Sequence, residues 1–213
     1  MTLPLKAADV TTLHDRLLAS AGWPKAEPPA ASELMRWVQT NHRNNSLLWD
    51  EEDLARRTTV AASEIAANKR AIDGYNQARN DATERVDELL LLALGLVDEA
   101  SARSAAPVAK VAAGARLNSE TAGSMIDRMS IMALKIKAMS AQTERGDVDE
   151  AHRATSRAKL ARLHEQRADL AGCLDALLAE TAAGKAYFKV YRQFKMYNDP
   201  ALNPQLVKER QQP

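Results

Sequence analysis

A single cysteine, Cys173, means that no intramolecular disulfide can staple this chain. Leu170, Leu174 and Leu177 flank it, which predicts a core thiol. Aromatic residues are scarce too: three Trp, four Tyr and two Phe in 213 residues. Gly and Pro number only eight each, and a chain rich in Ala and Leu favours helices over strands. No long apolar run exists. The longest, Leu89 to Val97, falls far short of the roughly 20 residues a membrane span needs. Met1 is followed by neither a basic nor an apolar leader region, so no secretory signal is expected. Charge of one sign is lacking as well, with 29 Lys+Arg against 28 Asp+Glu. That balance argues against general nucleic-acid binding. A soluble, cytoplasmic protein is expected.

What is present is helical periodicity. A first helix is predicted from about Ala7 to Ser20, stopped by Gly22-Trp23-Pro24. A proline-containing linker closes this N-terminal region at residue 30. Ser32-Glu33 starts a second helix that runs into His42. A long pattern from Thr59 to Arg103 repeats every three and four residues through Ile72, Tyr75, Arg79, Ala82 and Val86. Residues 104–114 read as a loop. A methionine-seamed helix follows from Ser119 to Arg145, and Gly146-Asp147 turns the chain, with Asp147 as the cap and Glu150 closing a capping box, into a partner arm that ends near Ala183. A short helix is expected from Lys185 to Phe194, and a polar tail from residue 207. The expected fold is an all-α, up-and-down helical bundle over residues 31–206, with long antiparallel helices and a short C-terminal capping helix.

Two windows carry chemistry. Five of the aromatics, Tyr187, Phe188, Tyr191, Phe194 and Tyr197, share one window with Lys185, Lys189, Arg192 and Lys195. Aromatic faces stack on sugar or base rings, and cations hold phosphates. The bland alternative is an amphipathic closing helix. Upstream, helical spacing puts His42, Asn45, Ser46, Trp49 and Asp53 on one side. Such groups polarise hydroxyls or move protons, or they form a polar helix junction with Glu51, Glu52 and Asp53 in the next helix's first turn. A third set, Asp127, Arg128 and Lys135, lies on a polar face that Ile131 interrupts, so something is expected to cover it. Arg79 and Arg167 stand in apolar seams and call for an internal carboxylate, a ligand phosphate or an outward reach to solvent. Phosphate-loop, nucleophile-elbow and zinc-ligand spacings are all missing, and no cofactor or metal is assigned.

Three strings resemble a known family. They are His42-Arg43-Asn44-Asn45-Ser46-Leu47-Leu48-Trp49-Asp50-Glu51-Glu52-Asp53, then Ile126-Asp127-Arg128-Met129-Ser130-Ile131 with Lys135, then Tyr191-Arg192-Gln193-Phe194-Lys195-Met196-Tyr197-Asn198-Asp199-Pro200 with Leu202-Asn203-Pro204. Together they resemble the bacterial family catalogued as domain of unknown function 4254, over roughly Ser32 to Leu206. The resemblance implies a bacterial cytoplasmic protein associated with cell-envelope glycan gene clusters. It carries over no catalytic role.

The first functional expectation is a binding protein or small enzyme for an anionic phosphorylated sugar or nucleotide-sugar. In it Arg128, Lys135 and Lys195 hold phosphate, Trp49 and Tyr191 stack, and His42 with Asp53 handles a proton or hydroxyl. Arg43, Asn45, Asp127, Tyr197, Asn198 and Asp199 complete the set. The second is a non-catalytic adaptor or assembly partner of an envelope glycosyltransferase, for which a protein partner or a homo-oligomer is expected.

Overall fold

The computed structural model describes residues 3–193 and 199–211. Helix α1 (Ala7–Ala19) is followed by a turn at Gly22, whose φ of 83° is the left-handed conformation glycine adopts freely. Helix α2 (Glu33–Ala55) begins at Ser32, whose hydroxyl accepts from the Met35 amide at 3.2 Å. It folds back on α3 (Ala62–Ala93) as an antiparallel hairpin. A second hairpin pairs α5 (Ala122–Thr143) with α6 (Glu150–Ala182), and α1 packs on both of its arms. The Ala7 amide donates to Asp175 of α6 at 2.8 Å, tying the start of α1 to that hairpin.

The architecture is the expected all-α bundle of long helices, with a short C-terminal helix, α7 (Pro204–Gln211). One apolar cluster runs through it, including Val10, Leu17, Val86, Leu90, Met129 and Leu174. Among the described residues no helix is long and apolar enough to cross a membrane.

Helix α5 starts in close approach to α3. A Cβ on Gly123 would lie 2.5 Å from the Thr83 carbonyl oxygen and 2.9 Å from Asp87 Cγ. The buried Asp87 carboxylate accepts the Gly123 amide at 2.6 Å. Burial pushes this carboxyl up to about 7, although the Thr121 and Gly123 hydrogen bonds pull the other way.

Several local expectations are corrected. The long pattern does not run to Arg103. Gly95, at φ 71°, ends α3, and Asp98 caps a separate short helix, α4 (Glu99–Ala102). The cap of α6 is Asp149, accepting from the His152 amide at 2.8 Å, whereas Asp147 pairs with Arg145. Cys173 is exposed, because the buried stripe of α6 passes through Leu170, Leu174 and Leu178 and leaves position 173 beside it.

Residues 185–193 are not helical. Strand β1 (Arg116–Leu117) pairs in parallel with β2 (Ala186–Tyr187), and Ala186, Phe188 and Val190 alternate into the core. That alternation has the two-residue period of extended chain. Phe188 is fully buried, a gain of about 1.5–3 kcal/mol that a solvent-facing position would forgo. Arg192 then anchors the segment. It donates to Glu84 at 3.0 Å and Glu88 at 2.5 Å, and to the carbonyls of Ala102 and Ser104.

Candidate functional site

Helix α2 passes unbroken through its polar stretch, so the polar-junction alternative does not describe it. Asn41, His42, Asn44, Asn45 and Ser46 are all buried inside the helix. Buried polar groups need partners: Asn44 and Ser46 donate to carbonyls of α2 itself, whereas Asn41, His42 and Asn45 find theirs on α3 and α5. Asp127 of α5 is the hub. Its Oδ1 accepts from Asn41 Nδ2 at 2.8 Å and from Asn45 Nδ2 at 2.9 Å. Asn41 also donates to Thr83 at 3.1 Å, and Asn45 to Ser130 at 3.0 Å. Ser130 shares a 2.8 Å hydrogen bond with His42 Nδ1.

Behind this hub His42 stacks on His14, with ring centroids 4.3 Å apart, and on Trp23, at 5.5 Å. Both histidines are fully buried. Burial holds both rings neutral, lowering His42 to about 3 and His14 well below the usual imidazole range. Among the described residues, both ring nitrogens of His14 and Nε2 of His42 have no hydrogen-bond partner.

On the solvent side of the hub lies a cleft of about 320 Å³ between α2, α3 and α5. Trp49 and Asp53 line it from α2 and Arg56 from that helix's C-cap, Asn76 and Arg79 from α3, and Ile131 and Leu134 from α5. Asn45 joins the hub to the cleft wall. Arg79 is the informative residue. Its Nε lies 3.8 Å from Asp127 Oδ1, beyond hydrogen-bond reach, and among the described residues has no partner. Among the described residues its guanidinium makes one long hydrogen bond, 3.4 Å to Asn80. Arg167, the other seam arginine, also has an Nε without a partner among the described residues, but its Nη groups donate to the Asp15 carboxylate at 2.8 Å and to the Thr11 carbonyl.

The structure divides the anticipated site residues. Asn45, Trp49 and Asp53 line the cleft, and Asp127 lies beneath it. His42 is sealed in the core. Eleven residues of α2 separate it from Asp53, about 16 Å along the axis, so the two do not meet. Arg43 turns to the linker, bonding the Pro24 carbonyl at 2.9 Å and Glu27 at 3.0 Å. Arg128 and Lys135 line a different groove, of about 600 Å³, between α5 and α6, and Ile131 stands between it and the cleft. That groove is larger, but its arginine is already paired with Glu120 at 2.6 Å.

Tyr191 is exposed, and the next two residues bind α3, with Gln193 accepting from Asn80 at 2.8 Å. Asp199 caps a local turn by accepting the Ala201 amide at 2.7 Å. Lys195, Tyr197 and Asn198 lie outside the described residues, as does Phe194.

Arg56 and Asn76 were not anticipated, though spacing marks both. Arg56 follows Asp53 by three on the face of α2 that carries Trp49, and Asn76 precedes Arg79 by three. Among the described residues no group of three His, Cys, Asp or Glu is placed to hold a metal ion.

Fold and cleft together define an all-α bundle protein with a polar-floored, arginine-bearing cleft. Residues 35–190 match the family described as a protein of unknown function, DUF4254, and the chain belongs to that family. The match takes in all the helices that build the cleft and ends before the Tyr191 string. Nothing among curated proteins and nothing among solved structures matches the chain.

Proposed function

We propose that this protein binds an anionic, ring-bearing small molecule, a phosphorylated sugar or nucleotide-sugar, in the cleft between α2, α3 and α5. The observation that carries this reading is Arg79. Its Nε is buried without a hydrogen bond among the described residues and reaches Asp127 only by a long ion pair of 3.8 Å, so an anion in the cleft would complete it. In the cleft it faces a flat indole, Trp49, and an amide, Asn76, the combination that fits a phosphate attached to a ring. Arg56 adds a second cation at the rim, although Glu52 holds it at 2.9 Å. The hub of Asp127, Asn41 and Asn45 fixes the inner wall, and His42 acts through Ser130 as a positioning residue.

This reading assigns binding rather than a reaction. It places the protein in the bacterial cytoplasm, with cell-envelope glycan metabolism as its setting. The test is a fluorescence titration of the full chain with sugar phosphates, nucleotides and nucleotide-sugars. Binding beside Trp49 changes indole emission, and the change disappears in Trp49→Phe. A panel without any saturable response contradicts the proposal.

A second reading, an adaptor of an envelope glycosyltransferase, draws on one observation. Val108, Val111 and Leu117 are all exposed in the segment joining α4 to α5, Val108 by 75%. Exposed apolar groups in one short segment fit a protein contact. A chain that is monomeric by light scattering and retains no partner on purification counts against it.

A further inference from the structure

A second groove adjoins the cleft and shares two of its walls. It holds about 280 Å³ and is lined by Trp23, Ser46, Trp49, Asp50 and Lys137 among others. Trp49 and Leu134 line both spaces, so the indole stands between them. The two spaces differ in chemistry. The cleft holds Arg79 and Arg56; the groove holds two indoles, one carboxylate and one ammonium. Trp23 is fixed there by its indole N–H, which donates to Ser46 at 3.1 Å, and by its stack on His42. Lys137 is fixed by donating to the Leu18 carbonyl at 3.1 Å.

Asp50 is the acidic group of the groove. Partial desolvation raises its carboxyl, as do Asp53 and Glu51, while Lys137 and Lys25 favour its charged form. A lone ammonium guest would meet Lys137, and a second phosphate would meet Asp50. A neutral ring carrying several hydroxyls suits both, since hydroxyls donate to a carboxylate and accept from an ammonium while the ring lies against indole.

We infer that the Trp23–Trp49 groove is the subsite for an uncharged polyhydroxyl ring, and that the ligand spans Trp49, with its phosphate on Arg79 and its ring beside Asp50. The inference rests on the anion-binding reading of the cleft and names the two halves of its ligand.

Titration calorimetry on the full chain separates the two claims. The probes are inorganic pyrophosphate, which can fill only the cleft, and a panel of aldose 1-phosphates, which can fill both spaces. The best aldose 1-phosphate binds wild type at least about tenfold tighter than pyrophosphate. Asp50→Asn, an isosteric change at an exposed side chain, weakens that ligand about tenfold, as loss of one charge-assisted hydrogen bond does. It leaves pyrophosphate unchanged. Arg79→Met weakens both probes. If pyrophosphate binds through Arg79 but Asp50→Asn leaves every aldose phosphate unaffected, the ring subsite is wrong and the anion reading stands. If Arg79→Met changes neither probe, or no probe binds wild type, the anion reading fails and the subsite with it.

Discussion

Nε of Arg79 stands 3.8 Å from Oδ1 of Asp127, and that oxygen is already occupied by the amides of Asn41 and Asn45. The carboxylate has its hydrogen bonds without the arginine, while the arginine reaches it only as a long ion pair without a hydrogen bond. Arg79 is therefore dispensable to the fold. Arg79→Met, which keeps the apolar stem, changes unfolding free energy by less than about 1 kcal/mol in urea titrations. A loss of several kcal/mol assigns Arg79 a structural role.

Asn45 has the opposite character. It is buried and donates to both Asp127 and Ser130. Asn45→Ala leaves those acceptors short of a donor and costs about 1–3 kcal/mol. Far-ultraviolet dichroism through a urea transition reads the change, and a cost near zero means the hub does not hold the helices together.

Two glycines test the close approach of α5 to α3. Gly123→Ala forces a methyl against the Thr83 carbonyl and Asp87, and destabilises by about 1–3 kcal/mol. Gly74 lies within α3 with nothing inside 4 Å of a built Cβ. Gly74→Ala stabilises by about 0.5–1 kcal/mol, because alanine is the better helix former. Melting temperatures moving in opposite directions verify the pair of predictions.

Stability depends on pH through two opposed groups. The folded-state pKa values of His14 and His42 are depressed, His42 to about 3, so the unfolded chain takes up protons first, near 6.5. Their contribution is complete above about 6.5 and is lost as pH falls toward 3. Asp87 runs the other way. It keeps its proton up to about 7 when folded but releases it near 3.9 when unfolded, so its contribution declines as pH rises between those values. Asp87→Asn keeps an acceptor for the Gly123 amide and removes only the decline. Unfolding free energy then rises more steeply from pH 4 to 6 in the variant than in wild type. Parallel curves show that Asp87 ionises freely in the fold.

The bundle was legible because helix signals are local. Ser32 and the Gly22 turn announce their ends without knowledge of neighbours. Gly95 and the Asp98 cap were equally visible, but the apolar spacing ran across them, and periodicity alone cannot see a left-handed glycine. At 185–193 two periods compete. Tyr187 and Tyr191 are spaced for a helix, whereas Ala186, Phe188 and Val190 alternate, and the core behind them selected the second.

The candidate site was legible where one helix carries it, as with Asn45, Trp49 and Asp53. It was not where helices converge. No sequence spacing indicates that Arg128 and Lys135 face α6 while Arg79 faces α2, or that His42 meets His14 across 28 residues. Residue chemistry named His42 as reactive; packing made it a core residue.

The central claim is that Arg79 receives an anion. The most direct test is thermal unfolding of wild type, Arg79→Met and Arg128→Met, each with and without the tightest sugar phosphate or nucleotide-sugar found by titration. At a hundredfold its dissociation constant, such a ligand adds about 2.7 kcal/mol. The account predicts this shift in wild type and in Arg128→Met, and its loss in Arg79→Met. A full shift in Arg79→Met, or one abolished by Arg128→Met instead, would place the anion in the α5–α6 groove and contradict the account.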